Sequence, residues 1–442
     1  MPKCSHYAVL PFNRSLKDCP IVPNQLTSDS TAARMRADTF YLLILSSSTP
    51  FTTAFYPIDP TSHPTWNLSY DYSGEHFFDN FHFFTDSDPT KGHVKYLDLP
   101  TANSTGLAGF IPDPTDPSSP KPLAYLGVDY TNPTPSGRPS TRLSSIQTFN
   151  HALILSDITH MPAPICGTWP AHWILGSGLT WPAAGEIDIL ENVNDASTNH
   201  YTLHTTEGIS TANYTGTGAQ TGHLVTGNCD VDAPDQDKNV GCSVTDGPTV
   251  PSYGTAFNEN NGGVFATLID AFGIRIWFFP RDAIPADIKD NAPNPPGRAM
   301  NLPGGNSTWP VPNARFDGSS NAFDDHFRDM QIIFNTAFCG EWAGKVWGES
   351  ESCSKLAGTC EEYVTGHPEA FEDVWWGIRG VQVWEMGGGG EIWNGTASYP
   401  DGKDGRGQGH GDVNENGKDG MPKRRVGGVA GPVEKRGVKR DL

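Results

Sequence analysis

The chain has 442 residues, and its 30 Lys and Arg against 50 Asp and Glu give a formal net charge of −20. That charge repels phosphate backbones and anionic lipids, and no apolar run reaches the ~18 residues of a membrane-spanning helix, so neither nucleic acid nor a membrane is an expected partner. The 48 Gly and 37 Pro, with only 18% charged residues, favour many short strands joined by turns and argue against a helical bundle.

The first 54 residues have the layout of an N-terminal extension with a secretory signal. After Met35 come the basic Arg36, an apolar run at 40–45 and small residues at 52–54. This order is typical of a signal peptide, so we expect a secreted protein located outside the cell or in the cell wall. The alternative is a short apolar segment that is buried in the fold.

Short β-type runs follow from about residue 66 to residue 385, separated by clusters of Gly, Pro, Asn and Asp. They alternate apolar and polar residues or are rich in β-branched and aromatic ones. The clearest lie at 76–78, 152–155, 274–279, 331–334 and 381–384. These runs show no internal repeat, so they predict one all-β domain over residues 55–386, built as a sandwich or jelly roll. We expect the protein to be a monomer.

One predicted strand, Gly-Glu-Ile-Asp-Ile-Leu-Glu at 185–191, carries three carboxylates. Alternation places Glu186 and Asp188 on one face, and a one-residue β-bulge near Ile189 would return Glu191 to that face. On a concave sheet, the Glu186 and Glu191 carboxyls can approach the ~5–5.5 Å that retaining glycoside hydrolysis uses. Crowded carboxylates raise one another's pKa, which would provide a nucleophile and a proton donor.

Two other interpretations of the acidic run stay open on the residues alone. Three acids within six residues also fit the solvated edge of a strand or helix. A metal site is the third option, although no histidine or second acidic cluster of matching spacing lies nearby in the sequence.

The cysteines and glycosylation sequons agree with an oxidising compartment. Beyond residue 54 there are six cysteines without a Cys-x-x-Cys pair, which favours disulfides over zinc. Cys229 with Cys242 is the expected pair, because both lie in one turn-rich loop, and Cys353 is expected to pair with Cys360 or Cys339. The Asn-x-Ser/Thr sequons are at Asn13, Asn67, Asn103, Asn213, Asn306 and Asn394.

Residues 387–442 differ in composition from the rest of the chain. They hold 16 of the 48 glycines and few bulky apolar residues. A segment of this kind cannot offset its ordering entropy, so we predict a disordered C-terminal tail.

The motifs around the acidic run form an ordered set that resembles the fungal laminarinase-like branch of glycoside hydrolase family 16, the endo-1,3(4)-β-glucanases. The likeness covers most of residues 66–385. It is carried by the segments at 77–81, 137–143, 150–162, 166–173, 185–191, 202–205, 252–254 and 338–344.

The resemblance implies a concanavalin A-like jelly roll with a long cleft, and a retaining double-displacement reaction on β-1,3 or mixed β-1,3/1,4 glucan. By position, Glu186 would be the nucleophile and Glu191 the acid/base, with Asp188 tuning the nucleophile between them. No cofactor and no metal are implied.

The resemblance also implies six substrate-binding residues: Trp169, Trp173, Trp181, His204, Arg138 and Arg142. Tryptophan faces match the C–H faces of pyranose rings, and arginines donate hydrogen bonds to hydroxyls. The competing interpretation of each is structural: a core aromatic, a satisfied core histidine or a buried ion pair.

One segment departs from the family pattern. Where many relatives have an acidic and an aromatic residue, this chain has Leu268 and Ile269, which leaves the linkage and sugar specificity open and keeps a β-galactanase as an alternative. A cell-wall transglycosylase is disfavoured by the bulged spacing, because cross-linking relatives tend to have Glu-x-Asp-x-Glu. A non-catalytic glucan-binding protein usually lacks one of the three acids, which are all present here.

Overall fold

A computed structural model describes residues 66–291, 293, 295, 307–317 and 322–386. The expected N-terminal extension with its signal peptide, the expected tail, and the sequons at Asn13, Asn306 and Asn394 lie outside these described residues. No helix in the described part of the chain has the length and apolar character that crossing a membrane requires.

Strands dominate the described residues, as the composition predicts. Eighteen are found there: β1 (Trp66–Ser73), β2 (Phe81–Phe83), β3 (Val94–Tyr96), β4 (Ala108–Ile111), β5 (Leu123–Gly127), β6 (Arg138–Ser140), β7 (Arg142–Ser145), β8 (Ala152–His160), β9 (Thr168–Gly176), β10 (Glu186–Glu191), β11 (His200–His204), β12 (His223–Thr226), β13 (Cys242–Thr245), β14 (Gly263–Asp270), β15 (Gly273–Pro280), β16 (Ala314–Asp317), β17 (Met330–Phe338) and β18 (Trp375–Met386).

The helices are short and lie in the connections. The α-helices are α1 (Leu99–Ser104), α2 (Gly254–Glu259), α3 (Ala286–Lys289), α4 (Ala322–His326) and α5 (Cys360–Gly366). 3₁₀ helices occupy Gly74–Asn80, Cys353–Lys355 and Pro368–Phe371, and a π-helical turn occupies Gly340–Gly344. The β-type run predicted at 76–78 is therefore wrong, because these residues lie in the first 3₁₀ helix.

Two large sheets form the sandwich. Sheet A has the strand order β16-β15-β14-β8-β18-β5-β4, with β1 also paired to β18, and sheet B has the order β12-β13-β11-β10-β9-β17-β7-β2. The pairings described within both sheets are antiparallel, whereas β3 and β6 form a separate parallel pair. Neighbours such as β9 and β17 are far apart in sequence, because the chain crosses repeatedly between the sheets. The predicted all-β jelly-roll sandwich is confirmed.

The core lies between the two sheets. Ile174 and Ile187 of sheet B belong to the same buried cluster as Ile154 of sheet A. His172 of β9 reaches across this layer, and its Nε2 lies 2.8 Å from the hydroxyl of Ser156 in β8. Burial lowers the pKa of His172 to about 4, which keeps the ring neutral. The even-numbered residues of β9 therefore face the core, and its odd-numbered residues face outward.

Three disulfides hold the connections. Cys229 pairs with Cys242 across 13 residues, as predicted. The prediction for Cys353 is wrong, because it pairs with Cys166, 187 residues away, and Cys339 pairs with Cys360 instead. The reason is topological: the turn that carries Cys353 packs with Cys166, just before β9, in one buried cluster, a contact that sequence spacing does not reveal.

Candidate active site

The three acids of β10 lie on one face of sheet B. The register with β9 places Glu186, Asp188 and Glu191 opposite three alternate residues of that strand, Leu175, Trp173 and Ala171. Alternate residues of a strand share a face, so the acids do as well. On the other face, Ile187 pairs with Ile174 in the core.

The predicted β-bulge is confirmed. Between Asp188 and Glu191 the chain advances three residues along β10, whereas the partners on β11, Thr202 and His200, are two apart. The register with β9 shifts in the same stretch. Without the extra residue, Glu191 would point into the core.

The start of β10 requires a glycine. Gly185 has φ +80°, in the left-handed region, and a Cβ there would lie 2.4 Å from the backbone oxygen of His326. Only glycine fits both the conformation and the close approach, so the turn into the acidic strand is fixed by its sequence.

Two predicted substrate-binding residues lie beside Glu186: Trp181 from the preceding loop and His204 from the neighbouring strand β11. Trp181, which is 43% exposed, donates from Nε1 to Glu186 Oε2 at 2.8 Å. His204 is the β11 residue opposite Glu186, and its Nε2 lies 3.4 Å from Asp188 Oδ2. Sequence spacing alone does not place a histidine near the acids; strand pairing brings the predicted His204 there.

Glu191 is held by Trp169. The indole Nε1 donates to Glu191 Oε1 at 2.7 Å, and the carboxyl side chain is almost completely buried. Trp342 packs edge-on to Trp169, with ring centroids 5.7 Å apart, and lies 6.4 Å from the ring of His200. Neither Trp342 nor His200 was predicted, although alternation from His204 back along β11 would have found His200 on the same face.

Trp173 and Arg142 form a stacked pair on this face. The Arg142 guanidinium carbon lies 4.8 Å from the Trp173 ring centroid and 4.8 Å from that of Phe84. Trp173 also donates from Nε1 to Asn335 Oδ1 at 2.6 Å, a contact that sequence reasoning missed. Asn335 lies opposite both Ala171 and Arg142, so all of these side chains share the face of the acids.

Arg138 does not join the site, which corrects the expectation that it binds substrate. Its side chain is 0% exposed, and it donates to the backbone oxygens of Asp129 and Val364. The guanidinium lies 4.5 Å from the ring centroid of Phe371 in a separate buried cluster. Arg138 therefore has a structural role inside the fold, but through backbone oxygens and not through the ion pair considered as its alternative.

Leu268 and Ile269 also lie away from the acids. Both belong to β14 of sheet A, where Leu268 packs with Trp277 in an apolar cluster and Ile269 lies in the core between the sheets. The departure from the family pattern is thus a packing difference. It no longer supports a change of sugar specificity.

The electrostatics of the three acids are dominated by burial. Burial and the Asp188 charge raise the pKa of Glu186 to about 7, against weaker opposing effects of His204 and the Trp181 N–H. Burial raises the pKa of Asp188 as well. The pKa of Glu191 is raised well above its usual value by burial and by the charges of Asp188 and Glu186. Three such groups do not ionise together at neutral pH, so the site holds at least one proton.

Glu186, Asp188 and His204 also have the ligand types and closeness of a metal site, with one potential ligand atom from each within 4.8 Å of the others. The only other such group in the described part of the chain contains Cys166 and Cys353, which form a disulfide.

Comparison with known proteins identifies the family to which this fold and its acidic face on sheet B belong. The family model described as "XgeA-like, catalytic GH16 domain" matches residues 81–384. The chain belongs to glycoside hydrolase family 16.

The endo-1,3(4)-beta-glucanase of Arthroderma benhamiae is 44% identical over 324 residues, 73% of this chain and 65% of that protein. The endo-1,3(4)-beta-glucanase xgeA of Emericella nidulans is 35% identical over 75% of this chain and 49% of its own length. The chain thus spans about half to two thirds of these relatives.

Two solved structures share the family 16 fold at useful identity. An elongating family 16 β-1,3-glucosyltransferase is 36% identical, with a TM-score of 0.61, over 73% of this chain and 100% of its own. Laminarinase 16A from Phanerochaete chrysosporium, with two β-glucans in its donor and acceptor sites, is 35% identical with a TM-score of 0.61 and the same coverage.

Proposed function

We propose that this protein is a secreted, monomeric, retaining endo-β-glucanase that hydrolyses β-1,3 or mixed β-1,3/1,4 glucan. The observation that carries the proposal is the single face of β10, where Glu186 and Glu191 flank Asp188 and each accepts a hydrogen bond from a tryptophan N–H. The names of the relatives favour this substrate class, and the three disulfides suit an oxidising compartment.

In the first step, ionised Glu186 attacks the anomeric carbon and forms a glycosyl ester. Trp181 holds one oxygen of the carboxyl, so the other can approach the sugar. Glu191, protonated because its pKa is raised, gives its proton to the departing glycosidic oxygen as the C–O bond breaks.

In the second step, Glu191 acts as a base. Formation of the ester removes the negative charge of Glu186, which is one of the charges that raise the pKa of Glu191. Glu191 now takes a proton from water while the water oxygen attacks the anomeric carbon, and Glu186 leaves as a carboxylate. Two inversions give retention.

Asp188 lies between Glu186 and Glu191 along β10 and affects the ionisation of both. Its side chain is 2% exposed and lies on the same face, where its charge raises the pKa of both neighbours. We assign it the tuning role and we assign Trp169, Trp173, Trp181, His204 and Arg142 to substrate binding. Their support is the shared face and, for Trp181, the hydrogen bond to Glu186.

A second candidate, transfer to an acceptor sugar in place of water, is favoured by one observation: the similarity to a β-1,3-glucosyltransferase. The chemistry of the first step is the same in both. Only the nucleophile that resolves the ester differs.

Product analysis on laminarin, lichenan and β-1,3-galactan tests these assignments together. We expect shortened oligoglucosides from the first two, β-anomers in the initial NMR spectra, and no release from galactan. Glu186→Gln should abolish cleavage, whereas Glu385→Gln, a glutamate on β18 of sheet A, should not. Products longer than the substrate would show transfer, and unchanged turnover by Glu186→Gln would overturn the proposal.

A further inference from the structure

The bulge in β10 leaves backbone groups without ladder partners. Asp188 pairs with Thr202 of β11 and Glu191 pairs with His200, but Ile189 and Leu190 have no partner on that strand. All three residues from Ile189 to Glu191 are buried. Unpaired backbone groups in such a position are costly unless another polar group satisfies them.

The side chain of Asn199 takes the place of the missing ladder. Its Nδ2 donates to the backbone oxygen of Ile189 at 2.7 Å, and its Oδ1 accepts from the backbone N–H of Glu191 at 3.0 Å. Asn199 is 0% exposed and comes directly before β11. One amide therefore spans the bulge, and one of its two bonds is made to the residue assigned as the acid/base.

Asn199 is itself held from the next strand of sheet B. Its backbone oxygen accepts from the Thr245 hydroxyl at 3.0 Å and from the Asp246 N–H at 3.2 Å. The Asp246 carboxyl is fixed in turn by three buried donors, Tyr201, Ser252 and Asn313. The backbone of Asn199 is thus anchored to β13, which sets the position from which its side-chain amide meets the bulge.

We propose that Asn199 is a positioning residue, which fixes the backbone of Glu191 so that its carboxyl delivers a proton to the departing oxygen. The inference rests on the acid/base role of Glu191 and makes it specific. Removing the amide frees the Ile189 oxygen and the Glu191 N–H, and the bulge relaxes. Displacement of a reacting group by about 1 Å lowers rates on the order of 10²-fold, without any contact between Asn199 and substrate.

The test compares two substrates that differ only in the leaving group. Phenyl and dinitrophenyl glycosides of the same laminari-oligosaccharide occupy the same sugar subsites, but only the phenol needs a proton to depart. In the full-length Asn199→Ala protein, kcat/KM for the phenyl glycoside should fall on the order of 10²-fold, the range of general acid catalysis. For the dinitrophenyl glycoside it should stay within about threefold of wild type, because kcat/KM reports the step that forms the ester.

Asn258→Ala is the matched control. Asn258 makes the same two kinds of bond, donating to the backbone oxygen of Met161 and accepting from its N–H, both at 2.9 Å. It belongs to α2, which packs on β8 of sheet A. Asn258→Ala should lower kcat/KM for the phenyl and dinitrophenyl glycosides by the same factor, or leave both values unchanged. An equal fall for both glycosides in Asn199→Ala, or no fall in either, would overturn the proposal.

Asn199→Asp tests the positioning role of Asn199 even if the alanine variant does not fold. When protonated, the new carboxyl can donate to the Ile189 oxygen and accept from the Glu191 N–H, whereas its ionised form repels that oxygen. Burial beside Glu191 and Asp246 raises its pKa. The ratio of phenyl to dinitrophenyl kcat/KM, relative to wild type at each pH, should therefore recover as the pH falls, and a ratio independent of pH would contradict the proposal. Failure of wild type to cleave either glycoside would instead refute the proposed function.

Discussion

Glu186 should destabilise the fold at alkaline pH, and replacing it should show this directly. Burial and the Asp188 charge raise its pKa from 4.5 to about 7. A carboxyl with a folded-state pKa above its unfolded value stabilises the fold below the unfolded pKa, and that contribution is lost as the pH rises through the folded pKa. One pKa unit corresponds to ~1.4 kcal/mol, so ionising Glu186 costs about 3 kcal/mol, as an upper value because the side chain is only partly buried.

Glu186→Gln removes the charge and keeps an oxygen that accepts from the Trp181 N–H. Denaturant unfolding should give similar free energies for the variant and the wild type near about pH 4. Near about pH 9 the variant should be more stable by about 2–3 kcal/mol, while its glucanase activity is lower by at least about 10³-fold. Glu385→Gln should show neither effect. Equal stability differences at both pH values would refute the reasoning, because they would mean that the fold does not perturb the Glu186 carboxyl.

Three further substitutions test other parts of the site. Asp188→Asn removes a charge that raises the pKa of Glu186, so the acidic limb of the kcat/KM profile should move to lower pH; a limb that stays in place would contradict this coupling. Trp169→Phe removes the N–H that lowers the pKa of Glu191, so the alkaline limb should move to higher pH and kcat/KM should fall by about tenfold, both read from one pH–rate series. Arg138→Met leaves the backbone oxygens of Asp129 and Val364 without their donors, so the free energy of unfolding should fall by about 2–4 kcal/mol. Because Arg138 lies outside the site, kcat/KM per folded molecule should stay near wild type, and a selective rise in KM would show instead that Arg138 binds substrate.

The acid face was predictable because it depends on local rules. Period-two alternation and the five-residue step from Glu186 to Glu191 require a bulge if both glutamates share a face, and the register contains it. The tryptophans at 169 and 173 follow from the same alternation on β9. A strand that keeps its apolar residues on one side specifies the other side as well.

The partners across the fold were not predictable, because they depend on contacts between distant segments. One of the two oxygens that Arg138 binds belongs to Val364, 226 residues away, and the pair Cys166–Cys353 spans 187 residues. In the sequence, Asn199 is an ordinary polar residue before a strand. Its role depends on its contacts with the bulge in β10, which only the structure shows. Long-range pairing of this kind follows from topology, which sequence patterns of a few residues do not contain.

The most direct measurement of the central claim is covalent trapping of the glycosyl ester. A fluorinated oligoglucoside with a good leaving group slows the second step, so the wild-type enzyme should accumulate an ester that mass spectrometry of its peptides locates. The account predicts the sugar on Glu186 and no adduct in Glu186→Gln. An ester on Asp188 or Glu191, or complete turnover with inverted product and no adduct, would contradict it.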